Sequence, residues 1–161
     1  MPDTKEQHYY LVKPDAVVIV PYTSSYIVLL QTKRAFIEGM CYELPGGRIE
    51  EGEDASVAAA RELKEECGLV STKWIFAGTT FPLPSVATEK VHIFFARVSL
   101  KSVPRKASSH PGENINAVLT RSFRDARSMA LTTQLRCTID AYALLLFLER
   151  QNSIKKRKEH E

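Results

Sequence analysis

Strands and helices in mixed order place this chain in the α/β or α+β sandwich class. Two observations carry that expectation. Short β-branched apolar runs of strand length occur at residues 16–20 (AVVIV) and 26–31 (YIVLLQ). Two longer segments, 53–67 and 132–150, repeat apolar residues at helical spacing. The 161 residues suit one domain, with enough chain to bury a core without staples. Residues 1–12 form a short lead, 13–150 the domain, and 151–161 a basic tail read as disordered.

The run at 16–20 reads as a buried strand stopped by Pro21. Thr23-Ser24-Ser25 supplies a turn into the strand at 26–31. Leu44-Pro45-Gly46-Gly47 is a tight loop whose glycines accept positive φ. A helix follows at 53–67. Glu53 and Asp54 suit its positive end, and Gly68 suits the residue past its last turn. Ser56, Ala59, Ala60, Leu63 and Cys67 are expected on the side opposite Glu62, Glu65 and Glu66, where small residues let the helix pack close to a sheet. Strands are read at 74–78 and 91–98, joined by the rigid loop Phe81-Pro82-Leu83-Pro84-Ser85. Residues 101–112 read as a polar excursion, and 117–120 as a weak strand. Ser122 and Asp125 have capping-box spacing ahead of a helix at 122–129. The final helix, 132–150, is expected to bury Leu135, Ile139, Tyr142, Leu145 and Leu146.

With 44% apolar and 25% charged residues, the composition is that of a soluble globular domain. Of the net charge of +3, the last seven residues, KKRKEHE, supply two units, four Lys/Arg against two Glu. The body is near neutral and carries no nucleic-acid footprint. Three scattered cysteines, Cys41, Cys67 and Cys137, support neither a zinc site nor a disulfide framework. Cys67 and Cys137 read as small core residues, and a reducing cytoplasm is the simplest home. The N-terminus lacks a signal pattern, and the longest apolar run, 141–148, is too short to span a bilayer.

The most informative stretch is 47–69, GRIEEGEDASVAAARELKEECGL, with six glutamates and one aspartate. At about 100° per residue, Glu62 and Glu66 lie about 40° apart, with Glu65 about 60° to the other side of Glu62. Like charges four residues apart cost about 0.2–0.5 kcal/mol per pair on an isolated helix. A solvated acidic face gains nothing from that crowding. A hard divalent cation removes it, because Mg²⁺ takes oxygen ligands and keeps waters and substrate phosphates in its shell.

Gly47, Glu53 and Arg61-Glu62-Leu63-Lys64-Glu65-Glu66-Cys67-Gly68-Leu69 fill every position of the pattern GX5EX7REUXEEXGU, where U is aliphatic. The segment thereby resembles the box of the Nudix hydrolases. The preceding Glu43-Leu44-Pro45-Gly46-Gly47 is similar to that family's ELPGG entry. IVLLQTKR, Pro84 and EKVHIFFARV look like the ADP-ribose and nucleotide-sugar pyrophosphatase branch. That branch usually has a longer N-terminal segment that builds a swapped dimer, whereas about fifteen residues precede the first core strand here. The resemblance implies an α/β/α sandwich with a mixed central sheet. It also implies a homodimer and Mg²⁺-dependent cleavage of a nucleoside diphosphate linked to another moiety, with Mn²⁺ as an alternative ion.

Carried over residue by residue, the resemblance makes Glu62, Glu66 and Glu65 metal ligands, joined by the Gly46 carbonyl. Glu53, Arg61 and Gly47 brace the loop and helix. Glu113, on a late loop, matches a general base, with Glu65 and His110 as other candidates. Arg34, beside Lys33, falls near a phosphate-contacting arginine, and Glu43 near a sugar hydroxyl or a metal-bound water. Tyr10, Phe36 and Phe81 are candidates for base stacking or for core. Competing functions are a nucleoside triphosphate or dinucleoside polyphosphate hydrolase, and a non-catalytic nucleotide sensor. Retention of all three glutamates favours an enzyme.

Overall fold

The computed structural model describes residues 9–99, 101 and 114–158, with backbone alone for 154–158. Seven strands form one sheet: β1 (Ala16–Tyr22), β2 (Tyr26–Thr32), β3 (Cys41–Glu43), β4 (Gly46–Arg48), β5 (Lys73–Thr80), β6 (Val91–Arg97) and β7 (Ile115–Ser122). Three helices complete the fold: α1 (Ala55–Cys67), α2 (Phe123–Leu131) and α3 (Thr138–Lys158). The order β3-β2-β1-β6-β5 forms the main path, with β4 beside β1 and β7 beside β2. Only β1 and β6 pair in parallel, from Ala16–Val91 to Tyr22–Arg97, so the sheet is mixed as expected.

Alternation along β1 and β2 explains the layering. Val17, Ile19, Val28 and Leu30 face one side, where they meet Ala58, Ala59, Leu63 and Cys67 of α1. Val18, Val20, Ile27 and Leu29 face the other, where they meet Ala126 of α2 and Ala143, Leu144 and Phe147 of α3. Strands buried on both faces read as continuous apolar runs, which is how these two appear in the sequence. The result is an α/β/α sandwich.

The pairing of β1 with β2 positions the site. These strands register at Tyr22–Ile27 and then separate. Into the gap runs the segment from Leu44 to Arg48. Gly46, Gly47 and Arg48 pair with Val18, Val17 and Ala16, and Ile19 N–H donates to Pro45 O. The expected tight loop is thus partly the strand β4. An added Cβ on Gly46 would collide with the backbone carbonyl of Val17, so only glycine lets this wedge lie against β1.

Several expected boundaries move. β1 continues through Pro21 to Tyr22. Because Ile19 N–H points towards the wedge, residue 21, two further on, points the same way. Its missing donor therefore falls on the side where β1 has little ladder to lose. α1 starts at Ala55, two residues later than expected, and its exposed side includes Ser56 and Ala60, which were expected to face the sheet. α3 runs over Thr138–Lys158 rather than 132–150, and so takes in residues expected to belong to a disordered tail. Leu135 instead bridges Tyr42, outside the helix. The buried stripe of α3 is accordingly Asp140, Ala143, Leu144, Phe147 and Leu148, while Tyr142 is exposed. Cys67 is buried as expected, but Cys137 is exposed.

Candidate active site

The acidic helix is built by its ends. At the start, Asp54 holds an extended conformation and its carbonyl accepts from Val57 and Ala58 N–H. At the end, Gly68 takes φ 64°, and its N–H reaches the carbonyls of Leu63 and Lys64. A left-handed residue of this kind closes a helix at least cost when it is glycine.

The glutamate stripe does not face solvent. Glu62 and Glu66 are buried with the core side of α1, directly against the wedge, while Glu65 is half exposed. Glu66 Oε2 accepts from Gly46 N–H at 2.7 Å. An added Cβ on Gly47 would overlap the Glu62 carboxylate, so the second glycine brings the backbone against that side chain. Helical periodicity places the three glutamates opposite the sheet-facing side; instead Glu62 and Glu66 are buried with Ala59, Leu63 and Cys67 at the seam between helix and sheet, because the wedge brings backbone up to them.

Arg61 ties the acidic groups together. Its Nε donates to Glu53 Oε1 at 3.0 Å, and Nη2 donates to Glu53 Oε2 and the Arg48 carbonyl, each at 2.9 Å. Nη1 donates to Glu62 Oε1 at 2.9 Å and to Glu65 Oε2 at 3.2 Å. Glu53 also accepts from Glu50 N–H at 3.0 Å. The Arg61 bonds hold the Glu53 carboxyl below the usual range, with the Glu50 N–H adding to the effect. The same Glu53 bonds, then those to Glu62 and Glu65, raise the already high basicity of Arg61. One guanidinium therefore links β4, the approach to α1 and two box glutamates.

Among the described residues, no three His, Cys, Asp or Glu side chains converge into a ready metal cage. Glu62 and Glu65 are turned towards Arg61, and Glu66 towards Gly46. The donor set still fits a hard cation. Glu53, Glu62, Glu65 and Glu66 carry four negative charges around one arginine, and Mg²⁺ commonly binds through one or two carboxylates plus substrate phosphates.

From the opposite face, α3 contributes a residue that sequence reading missed. Asp140 lies in the first turn, buried, and its Oδ2 accepts from Leu44 N–H at 3.2 Å. Burial pushes its carboxyl up to about 7, against the pull of the Leu44 N–H, and the Glu43 charge adds to the rise. The wedge is thus held on one face by Glu66 and on the other by Asp140. The available signal was an aspartate in phase with Ala143, Leu144 and Phe147.

Arg34 and Glu43, read separately as substrate contacts, face each other. Arg34 Nε donates to both Glu43 oxygens, at 3.0 and 3.2 Å, and Nη2 donates to Oε2 at 2.7 Å. Two cavities meet here. One of about 480 Å³ is lined by Lys13, Glu43, Gly47, Arg48, Glu89 and Asp140. The other, of about 220 Å³, is lined by Thr32, Lys33, Glu66 and Asn114. Arg34 and Gly46 line both. The Thr32 hydroxyl is buried without a partner among the described residues. A larger cavity of about 840 Å³ lies beside Met40, Tyr42 and Leu135, with no carboxylate in its wall.

Glu113 and His110 lie outside the described residues. Tyr10, Phe36 and Phe81 are all exposed, which removes the core reading for each. No described helix is long and apolar enough to cross a membrane.

A family model described as NUDIX domain matches residues 12–132. An ADP-ribose pyrophosphatase of Bacillus subtilis is 28% identical over 146 residues, covering 89% of this chain and 78% of that protein. A methanol dehydrogenase activator of Bacillus methanolicus is 34% identical over 87 residues, covering 52% of this chain and 46% of its own length. A crystal structure of an ADP compounds hydrolase superposes with a TM-score of 0.73 at 23% identity, covering 88% of this chain and 76% of that one. That superposition carries the fold.

Proposed function

The chain belongs to the Nudix family, and from that membership we propose that it hydrolyses the pyrophosphate bond of a nucleoside diphosphate joined to a sugar, with ADP-ribose as the leading substrate. The observation that carries this reading is the seating of Glu62 and Glu66 against the Gly46-Gly47 wedge, with Arg61 behind them. The relative in Bacillus subtilis named ADP-ribose pyrophosphatase supports the choice of substrate.

Glu62, Glu66, Glu65 and the Gly46 carbonyl would hold Mg²⁺, with Mn²⁺ as the alternative. When bound, the ion neutralises the pyrophosphate and polarises its phosphoryl oxygens. Arg61 offsets the carboxylates' mutual repulsion and keeps them oriented. Arg34, at the wall shared by both cavities, meets phosphate oxygens. A water oxygen attacks one phosphorus, the bridging P–O bond breaks, and the water proton passes to a carboxylate. Glu113 is the proposed base, and Glu65 the alternative. Asn114, the next residue along the chain from Glu113, lines the smaller cavity with Glu66. A base must come within about 2.6–3.2 Å of the water it deprotonates. The products from ADP-ribose are AMP and ribose 5-phosphate.

A homodimer accompanies this reading. Ile75 and Phe76 on β5, the outer strand of the sheet path, are 46% and 57% exposed. They lie on opposite faces of that strand; an edge strand carrying exposed apolar side chains favours pairing with another chain, and a second copy is the partner proposed.

Assay of ADP-ribose, nucleotide sugars, dinucleoside polyphosphates and nucleoside triphosphates with Mg²⁺ or Mn²⁺ tests the proposal. AMP and ribose 5-phosphate are the expected products. Pyrophosphate released from a triphosphate would replace the substrate, and nucleotide binding with no turnover would replace the enzyme by a sensor. Glu66→Gln is expected to lower the rate by orders of magnitude with the fold intact, and near-normal turnover would sink the metal assignment.

A further inference from the structure

We propose that Glu43 is a positioning residue, fixing the Arg34 guanidinium at the mouth of the site so that its remaining N–H edge meets the phosphate oxygens of the substrate. This rests on the function proposed above and deepens it. Exposure shows which partner is the anchor: the Glu43 side chain is 10% exposed and that of Arg34 is 60%. A buried carboxylate requires a cation or strong donors, whereas an exposed arginine requires neither. Guanidinium carries five N–H donors in a planar fork. Glu43 engages the Nε hydrogen and the Nη2 group. Nη1 has no partner among the described residues.

Location gives that edge a purpose. Arg34 and Gly46 are the residues common to both cavities, so a phosphoryl group spanning them passes between the two. A guanidinium already held in one plane presents its fork to an oxoanion without first losing rotamer freedom. Glu66 and Asp140 add to the negative surroundings that keep Arg34 charged. Both Glu43 oxygens accept from Arg34, and Oε1 keeps capacity for a second donor, so the positioning role stands beside the expected contact with a sugar hydroxyl or a metal-bound water.

A double-mutant cycle tests the assignment, with ADP binding measured by calorimetry in EDTA. Arg34→Ala is expected to weaken ADP binding, and Glu43→Gln to weaken it about tenfold, within the range for residues in direct contact. In the Arg34→Ala background, Glu43→Gln should change nothing. The Arg34 Nε–H resonance should be distinct in the parent protein and averaged in Glu43→Gln. With ADP-ribose, the loss should fall on KM more than on kcat. Glu43→Asp, one methylene shorter, is the second variant should the first fail to fold, and it should show a smaller loss of the same kind. An equal loss in both backgrounds would mean that Glu43 touches the ligand itself. No loss in either background, or a parent protein that does not bind ADP, would also overturn the proposal. Binding of ADP with this coupling but no hydrolysis of any substrate would defeat the enzymatic reading alone.

Discussion

Asp140 sits out of solvent in the first turn of α3, with its carboxyl raised from the ordinary 3.8 to about 7. Between those values the native protein holds a proton that the unfolded chain has released. This group's contribution therefore falls as pH rises through that window. Asp140→Asn keeps an acceptor for Leu44 N–H and removes the charge. The expected outcome is a Tm higher by roughly 5 °C at pH 8 and unchanged at pH 4; equal shifts at both pH values would rule out burial as the cause. Gly47 makes the complementary case. A methyl there displaces the Glu62 carboxylate, so Gly47→Ala should cost about 10²-fold or more in kcat, the scale of a misplaced group. Melting and turnover measured on the same preparation separate this from unfolding. At this scale the box residues were legible, because their identities and spacing are written in the chain. Asp140, Thr32 and Asn114 were not, because each reaches the site through folding from a distant segment.

Among the elements, α1 is the most legible and α3 the least. The small residues Ala58 and Ala59 are fully buried and let α1 approach the sheet closely. Leu63, also without exposure, fills the same seam. Leu63→Ala should destabilise by about 2–5 kcal/mol in urea unfolding. Gly68→Ala should cost about 1 kcal/mol by forcing a Cβ into the left-handed region; no effect would mean that the helix ends otherwise. Composition also announced the α2 cap, where Ser122 Oγ accepts from Asp125 N–H at 3.1 Å. α3 misled because Leu135 fits a helical period yet bridges Tyr42. Starting the helix six residues early shifts its apolar phase and turns the wrong side inward.

In the whole molecule, β5 leaves apolar surface in the open. Phe76 stacks on Phe94 and His92, but α1 lies over β1 and β4 and leaves it uncovered. If this surface joins two copies, Ile75→Lys with Phe76→Lys should turn a sedimenting dimer into a monomer. An unchanged sedimentation coefficient would place the contact elsewhere. The sandwich class was legible because both faces of β1 and β2 demand cover. The split between those strands was not, since pairing partners leave no local mark. That split has a thermal consequence. The Leu44–Arg48 backbone is not draped over the scaffold but enters the sheet itself as β4, latched by Glu66 and Asp140 to helices on opposite sides. Loosening it means opening the centre of the protein. Heating should therefore abolish turnover and circular dichroism together, leaving no temperature range in which a folded protein is inert, and the amides of Leu44 and Gly46 should exchange only as slowly as the core does.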